Sequence, residues 1–224
     1  NAETYTKQAF KILDRDRTEI VYNGDWFRKM TYEEVLKLNS RVTMQQMLAR
    51  EDFKARVEGG KEVRLHEMQY PIMQGWDSVE IRSDVELGGT DQLFNILVGR
   101  DLQKEEGMLP QIAMTMPLLE GLDGVRKMSK SYGNYIGIDE PADIMYEKCM
   151  KVPDALLLSY FNLTTDLPES AYAALVRDDV RQAHFLYAAT IVRLYHGEEA
   201  VAAAEARYRS VAAGGVPENM ETQE

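Results

Sequence analysis

The sequence predicts an α/β fold: part of a parallel-sheet domain, followed by an all-helical domain. Three observations carry this expectation. Short apolar or β-branched runs alternate with helical periodicity up to about residue 120. The run 84–87, a helix reaching about 105, and the run 112–119 have the strand–helix–strand spacing of a parallel pair. Beyond residue 139 only helical patterns remain. The boundary is therefore placed there, dividing the chain into 1–138 and 139–224.

Each element has its own signal. Residues 2–14 have a helical pattern. TEIVYN (18–23) alternates with β-branched residues and predicts a strand. Thr31 followed by Glu34 is a capping-box pair, so a helix is expected over about 32–39. Two short helices over about 43–58 end at Gly59-Gly60. A longer helix covers 66–82, with Pro71 tolerated in its first turn or at a kink. DVEL (84–87) is a strand closed by Gly88-Gly89. Thr90 or Asp91 then caps the helix that follows. In the second part, Glu140-Pro141 opens a helix with proline at its first position. Helices over about 153–161, 168–176, 178–196 and 198–213 complete it, and Gly214-Gly215 stops the last.

Composition excludes several classes. The 224 residues are 45% hydrophobic, enough for a sizeable core. No apolar run approaches the roughly 18 residues of a membrane span, so no membrane association is expected. The first residues lack the basic-then-apolar layout of a secretory signal. They also lack an initiator methionine, so a fragment is expected. Cys149 is the only cysteine, so no internal disulfide can form and a reducing, cytoplasmic setting fits. The net charge of −11 argues against a generic nucleic-acid coat. Residues 139–224 carry 15 acidic and 7 basic residues, a net −8, which leaves −3 for 1–138. Against that background Arg126, Lys127 and Lys130 form a local basic island suited to a polyanion.

Three stretches could carry chemistry. In YPIMQGWD, spacings of four and three put Tyr70, Gln74 and Asp77 on one helix face. Phenol, amide and carboxylate together can hold a small zwitterion with a polar tip; a solvated helix face is the plain alternative. In ELGGTDQ, Gly88 and Gly89 let a ligand approach the backbone at a strand's carboxyl end. Asp91 could accept ribose hydroxyls there, or simply cap a turn. In KMSKS, Lys127, Ser129 and Lys130 could neutralise a transferring phosphate. It is neither a P-loop nor an SxxK site, and a solvated loop is the alternative. His66, His184 and His196 are far apart, without an HExxH motif, so no protein-bound metal is expected. His184, in an apolar helical stretch, reads as a core or groove histidine.

NGDW (23–26), YPIMQGWD, ELGGTDQ and KMSKS occur in one chain in the order of one family. The chain resembles bacterial tyrosyl-tRNA synthetases, which are class I aminoacyl-tRNA synthetases, from Asn1 to about Gly215. The resemblance implies a Rossmann-like catalytic domain over 1–138, with a dimer-forming insertion at about 25–70 and a KMSKS loop at 127–131. A helical anticodon-side domain would follow over 139–224. It implies activation of L-tyrosine by ATP with Mg2+, transfer to tRNA(Tyr), and a homodimer. Tyr70 and Gln74 would hold the tyrosine amino group, and Asp77 the phenol. Gln92 would lie near the substrate carboxylate, and Asn23 would support the pocket. Gly88, Gly89 and Asp91 would line the ribose, and Leu118 and Leu119 the adenine. Lys127, Ser129 and Lys130 would bind the leaving pyrophosphate, with Met128 packing the loop.

Two departures from the family stand out. No HIGH-type motif surrounds any histidine, so the family's first strands are expected to precede Asn1, and the 224 residues alone are expected to be inactive. The 224 residues are likewise expected to be a piece that lacks the small RNA-binding domain which usually follows the helical one. Glu86 stands where some relatives place a glutamine near the substrate. RNA contacts would come from residues such as Arg177, Arg181, Arg193, Arg207 and Arg209, and the dimer surface would use Met44, Met47 and Met68. The alternatives are a tryptophanyl sibling, and a non-catalytic RNA-binding or dimerisation module of synthetase ancestry.

Overall fold

A computed structural model describes residues 2–214, with side chains from residue 5 onward. The chain runs α1 (Ala2–Ala9), α2 (Gly24–Phe27), α3 (Tyr32–Asn39), α4 (Met44–Leu48), α5 (Glu51–Glu58) and α6 (Leu65–Glu80). Strand β1 (Val85–Gly89), α7 (Leu93–Glu105) and β2 (Ile112–Met116) follow. The rest is α8 (Ala142–Cys149), α9 (Leu157–Thr164), α10 (Ala173–Asp178), α11 (Val180–His196) and α12 (Glu198–Ala212). Contacts divide the chain into two compact units, Ile20–Leu118 and a second in which residues up to Glu19 join those from Leu119 onward.

In the 20–118 unit, β1 and β2 pair in parallel, Val85 with Ile112 through Gly89 with Met116, and α7 makes the crossover. Helix α6 lies tightly against α7 because glycines meet at the crossing. A Cβ on Gly75 would come within 2.9 Å of the Gly99 nitrogen. Leu38, Met47, Ile72, Val98 and Leu102 form the core beside the crossing. The capping boxes that start α3 and α4 are complete: Thr31 pairs with Glu34, and Thr43 with Gln46. The alternation of the strands gives the sheet two unlike faces. Glu86, Gly88, Ala113 and Thr115 are partly covered, whereas Val85, Leu87, Ile112, Met114 and Met116 are exposed.

Several expectations change here. Residues 18–23 form no strand, because alternation makes a strand only where a ladder partner exists, and they pair with neither described strand. β1 runs through Gly88 and Gly89 rather than stopping before them. β2 ends at Met116, since Pro117 has no N–H to continue the ladder. Thr90 and Asp91 do not cap α7; residues Thr90–Gln92 form a 3-10 turn that leads into it. Pro71 sits inside α6, past its first turn, where it has no N–H to give the Glu67 carbonyl. Pro141 precedes α8 as its N-cap instead of occupying the first helical position.

The second unit is built on α8 to α12. Met145, Tyr146, Cys149, Phe161, Tyr187 and Val192 are fully or almost fully buried at its centre. The rings of Phe161 and Tyr172 stack at 4.4 Å. Gly197, at φ +82°, turns the chain between α11 and α12 in a conformation L side chains rarely adopt. The units separate at 118/119, not at 138/139. Leu119, Leu122, Met128 and Ile136 pack on the helical core, so the KMSKS segment belongs with the helices. Composition shifts at residue 139, but burial of these apolar side chains draws the boundary earlier.

Candidate functional site

Within the 20–118 unit, α6 brings Gln74 and Asp77 into a polar cluster with residues from α2, β1 and α7. Asn23 Nδ2 donates to Asp77 Oδ2 at 3.3 Å, and Trp26 Nε1 donates to Oδ1 at 3.1 Å. Burial raises the Asp77 carboxyl above its ordinary range; these two donors oppose the shift, and Glu86 and Glu80 add to it. Gln74 Nε2 donates to Glu86 Oε1 at 3.4 Å. Asn95 Nδ2 donates to Gln74 Oε1 at 2.9 Å and to Gln92 Oε1 at 3.2 Å. The structure therefore joins Gln74, Glu86 and Gln92 in one network and ties Asn23 to Asp77. Tyr70, one turn before Gln74, is 66% exposed. Amides, a phenol and two carboxylates on one surface can meet the ammonium, carboxylate and phenol of an amino acid.

The glycines of ELGGTDQ have a packing reason of their own. A Cβ on Gly88 would lie 3.0 Å from Gln92 Cβ and 3.1 Å from Ile96 Cδ1. A Cβ on Gly89 would lie 2.7 Å from both Asp91 Oδ1 and Leu118 Cδ2. Asp91 and Leu118 thus meet over Gly89. Leu119 instead packs on the helical core.

In the helical unit, residues 119–137 hold the KMSKS loop. Glu120 and Lys127 form an antiparallel bridge, and Met128 N donates to the Leu119 carbonyl at 2.8 Å. Asn134, almost completely buried, ties the loop together. Its Oδ1 accepts from Ser129 N at 2.8 Å, and its Nδ2 donates to Asp123 Oδ2 at 3.0 Å and to the Lys127 carbonyl at 3.2 Å. Asp123 is held down to about 2, first by the Arg126 backbone N–H and then by Val125 N–H, the Arg126 side chain and Asn134. Ser129 Oγ caps the turn 130–132 by accepting from Ser131 N. Lys130 Nζ donates to Gln8 Oε1 at 2.7 Å, and Gln8 Nε2 donates to Asp139 Oδ2 at 2.6 Å. Two ammonium groups and a hydroxyl on a pinned turn can neutralise a polyphosphate.

Sequence reasoning missed Trp26, Asn95, Ser78, Gln111, Asp123 and Asn134. Asn95 in LFNILV and Gln111 in MLPQIAM are single polar residues within apolar runs, and that mismatch was the available signal; Ser78, between Asp77 and Glu80, gave none. Met47 is buried in the core rather than available to a dimer surface, whereas Met44 is 61% exposed. Arg177, Arg193, Arg207 and Arg209 pair with Asp178, Glu198, Asp143 and Glu205. Arg181 lies over the Phe185 ring. His184, buried, meets Asp154 through Nε2 at 2.8 Å, while its Nδ1 is buried without a hydrogen-bond partner among the described residues. Among the described residues, no group of three or more His, Cys, Asp or Glu is placed to hold a metal ion, and no helix is long and apolar enough to cross a membrane.

Fold and site together describe an α/β protein with a polar helix face suited to a small zwitterion and a lysine loop suited to phosphate. The chain belongs to the class I tRNA synthetases of the tryptophan and tyrosine group, whose family model matches residues 1–212. It is 48% identical to a tyrosine–tRNA ligase of Desulfotalea psychrophila over 98% of this chain and 56% of that protein. It is 50% identical to the Thermotoga maritima tyrosine–tRNA ligase, over 89% of this chain and 51% of that protein. A C-terminally truncated mitochondrial tyrosyl-tRNA synthetase of Aspergillus nidulans superposes with a TM-score of 0.64 at 27% identity, covering 84% of this chain and 57% of that one. The chain spans about half the length of the curated relatives it matches.

Proposed function

We propose that the gene product containing this chain is a tyrosine–tRNA ligase. The tyrosine carboxylate attacks the α-phosphate of ATP in line, forming tyrosyl-adenylate and releasing pyrophosphate. The tRNA(Tyr) 3′-terminal hydroxyl then takes the tyrosyl group and releases AMP. A carboxylate is already a nucleophile, so the protein's work is positioning and charge neutralisation. The observation that carries this reading is the Asp77 carboxylate, half-buried and held by Asn23 and Trp26, one turn beyond Gln74. Such an acceptor suits a phenolic hydroxyl, which can donate to it.

In this reading Tyr70, Gln74 and Glu86 take the ammonium, Gln92 the carboxylate, and Asn23 supports Asp77. Gly88, Gly89, Asp91, Leu118 and Leu119 line the nucleotide. Lys127, Ser129 and Lys130 take the pyrophosphate, with Met128 anchoring their loop. Mg2+ enters with the ATP phosphates as part of the substrate. The 20–118 unit serves amino-acid and nucleotide binding, and the residues from Leu119 onward supply the KMSKS loop and the anticodon side of a cytoplasmic homodimer, with the dimer-forming insertion at about 25–70. Four of the five candidate arginines on the helices already meet carboxylates, so tRNA contacts rest on other groups or displace those partners. ATP–pyrophosphate exchange by the full-length gene product tests the reading. Tyrosine should drive exchange and tryptophan should not; exchange driven by tryptophan would assign the sibling activity instead.

A further inference from the structure

Asn95 lies on the first turn of α7, is 2% exposed, and appears in no motif singled out above. Its neighbours fix its orientation. The Glu86 carboxylate only accepts hydrogen bonds, and Gln74 reaches its Oε1. Gln74 must therefore turn Nε2 toward Glu86 and Oε1 toward Asn95. Asn95 must in turn present Nδ2, which it does to Gln74 at 2.9 Å and to Gln92 at 3.2 Å. The price is visible in the same side chain: Asn95 Oδ1 is buried with no hydrogen-bond partner among the described residues. A buried amide that leaves its own oxygen unpaired is unfavourable for the fold.

Glu86 is itself braced from behind. Its Oε2 accepts from Ser78 Oγ at 2.8 Å and from Gln111 Nε2. Ser78 and Gln111 are both buried, and the Gln111 backbone N–H is held by Gln103 Oε1 at 2.7 Å. The carboxylate is thus fixed before any ligand arrives.

We propose that Asn95 is a positioning residue that sets the polarity of an α-amino-acid clamp formed by Gln74 and Gln92. One donor group faces the Oε1 atoms of both glutamines. Each is locked in one amide orientation, Gln74 keeping its second lone pair for an ammonium group and Gln92 keeping Nε2 as donor for a carboxylate. Without Asn95 either amide can flip, and a flipped pair presents the wrong sign at each end of the zwitterion. The inference rests on the amino-acid-activating function proposed above.

The test is ATP–pyrophosphate exchange by the full-length gene product and by Asn95→Leu and Asn95→Asp, together with thermal unfolding of each. Leucine has similar bulk and removes the unpaired oxygen; aspartate keeps the shape but loses the donor. Both variants should raise the KM for tyrosine about tenfold, the effect of one well-placed hydrogen bond, with the KM for ATP held within about twofold. The Asn95→Leu midpoint should equal or exceed that of the unaltered protein. An unchanged tyrosine KM, a parallel loss for both substrates, or a lowered Asn95→Leu midpoint would make Asn95 a packing residue and overturn the proposal. If the unaltered protein shows no tyrosine-dependent exchange, the functional reading fails and the proposal falls with it.

Discussion

The indole of Trp26 donates to Asp77 Oδ1 across 3.1 Å, joining a residue of the short helix α2 to the last turn of α6. This bond, with the one from Asn23, holds a half-buried carboxylate in place while leaving it lone pairs for a ligand. Trp26→Phe keeps most of the ring and removes the donor. It should raise the KM for tyrosine in the full-length protein several-fold, on the order of 1 kcal/mol of lost preorganisation. Exchange kinetics at varied tyrosine concentration measure this, with ATP dependence as the control.

Asp77 also makes stability and binding depend on pH in opposite directions. Its folded pKa is raised, mainly by burial. The ionised form therefore strains the folded state: its contribution favours folding below the ordinary carboxylate pKa and is lost as pH rises through the raised value. Phenol recognition needs the ionised form and should weaken as pH falls through the same value. Asp77→Asn should be at least as stable as the unaltered protein at pH 7 and should show no such pH dependence in tyrosine affinity. Thermal unfolding and equilibrium binding across pH check both halves.

The α6–α7 crossing tolerates no added methyl group. A Cβ on Gly75 meets the Gly99 nitrogen at 2.9 Å and Val98 Cγ1 at 3.0 Å. Gly75→Ala should destabilise the protein by about 1–3 kcal/mol, as overpacking generally does. It should also weaken tyrosine binding, because Gln74 and Asp77 ride on the displaced helix. Urea denaturation gives the first quantity and tyrosine titration the second.

The loop base should open in acid. Asp123 is held down to about 2, first by the Arg126 backbone N–H. A depressed carboxyl stabilises above its unfolded pKa, about 3.9, and that stabilisation is lost as pH falls toward 2. Amide exchange at Val125 and Arg126 should therefore accelerate, beyond its intrinsic pH dependence, between about pH 4 and pH 2. In Asp123→Asn these amides should be less protected at neutral pH, without that acid-dependent change.

What the sequence made legible depended on locality. The capping box at Thr31 and the spacing of Tyr70, Gln74 and Asp77 on one helix are written within a few residues, and the structure realises them. The strand expected at 18–23 needed a ladder partner, which no local pattern supplies. The unit boundary depended on where Leu119, Met128 and Ile136 find apolar cover, a tertiary matter. At the site, the motif residues were visible, but their supports were not. Asn95, Gln111 and Asn134 act through contacts with residues that are not their immediate neighbours in sequence; a lone amide in an apolar run flags Asn95 and Gln111 but does not name their partners.

The central claim is that the α6 network holds tyrosine while the loop lysines act on the transition state. Lys130→Ala in the full-length protein tests it most directly, with the rate of adenylate formation and the Kd for tyrosine measured side by side. The rate should fall by about a hundredfold or more, as loss of a preorganised charge contact does, with the tyrosine Kd unchanged within about twofold. Equal losses in rate and tyrosine affinity would contradict the claim.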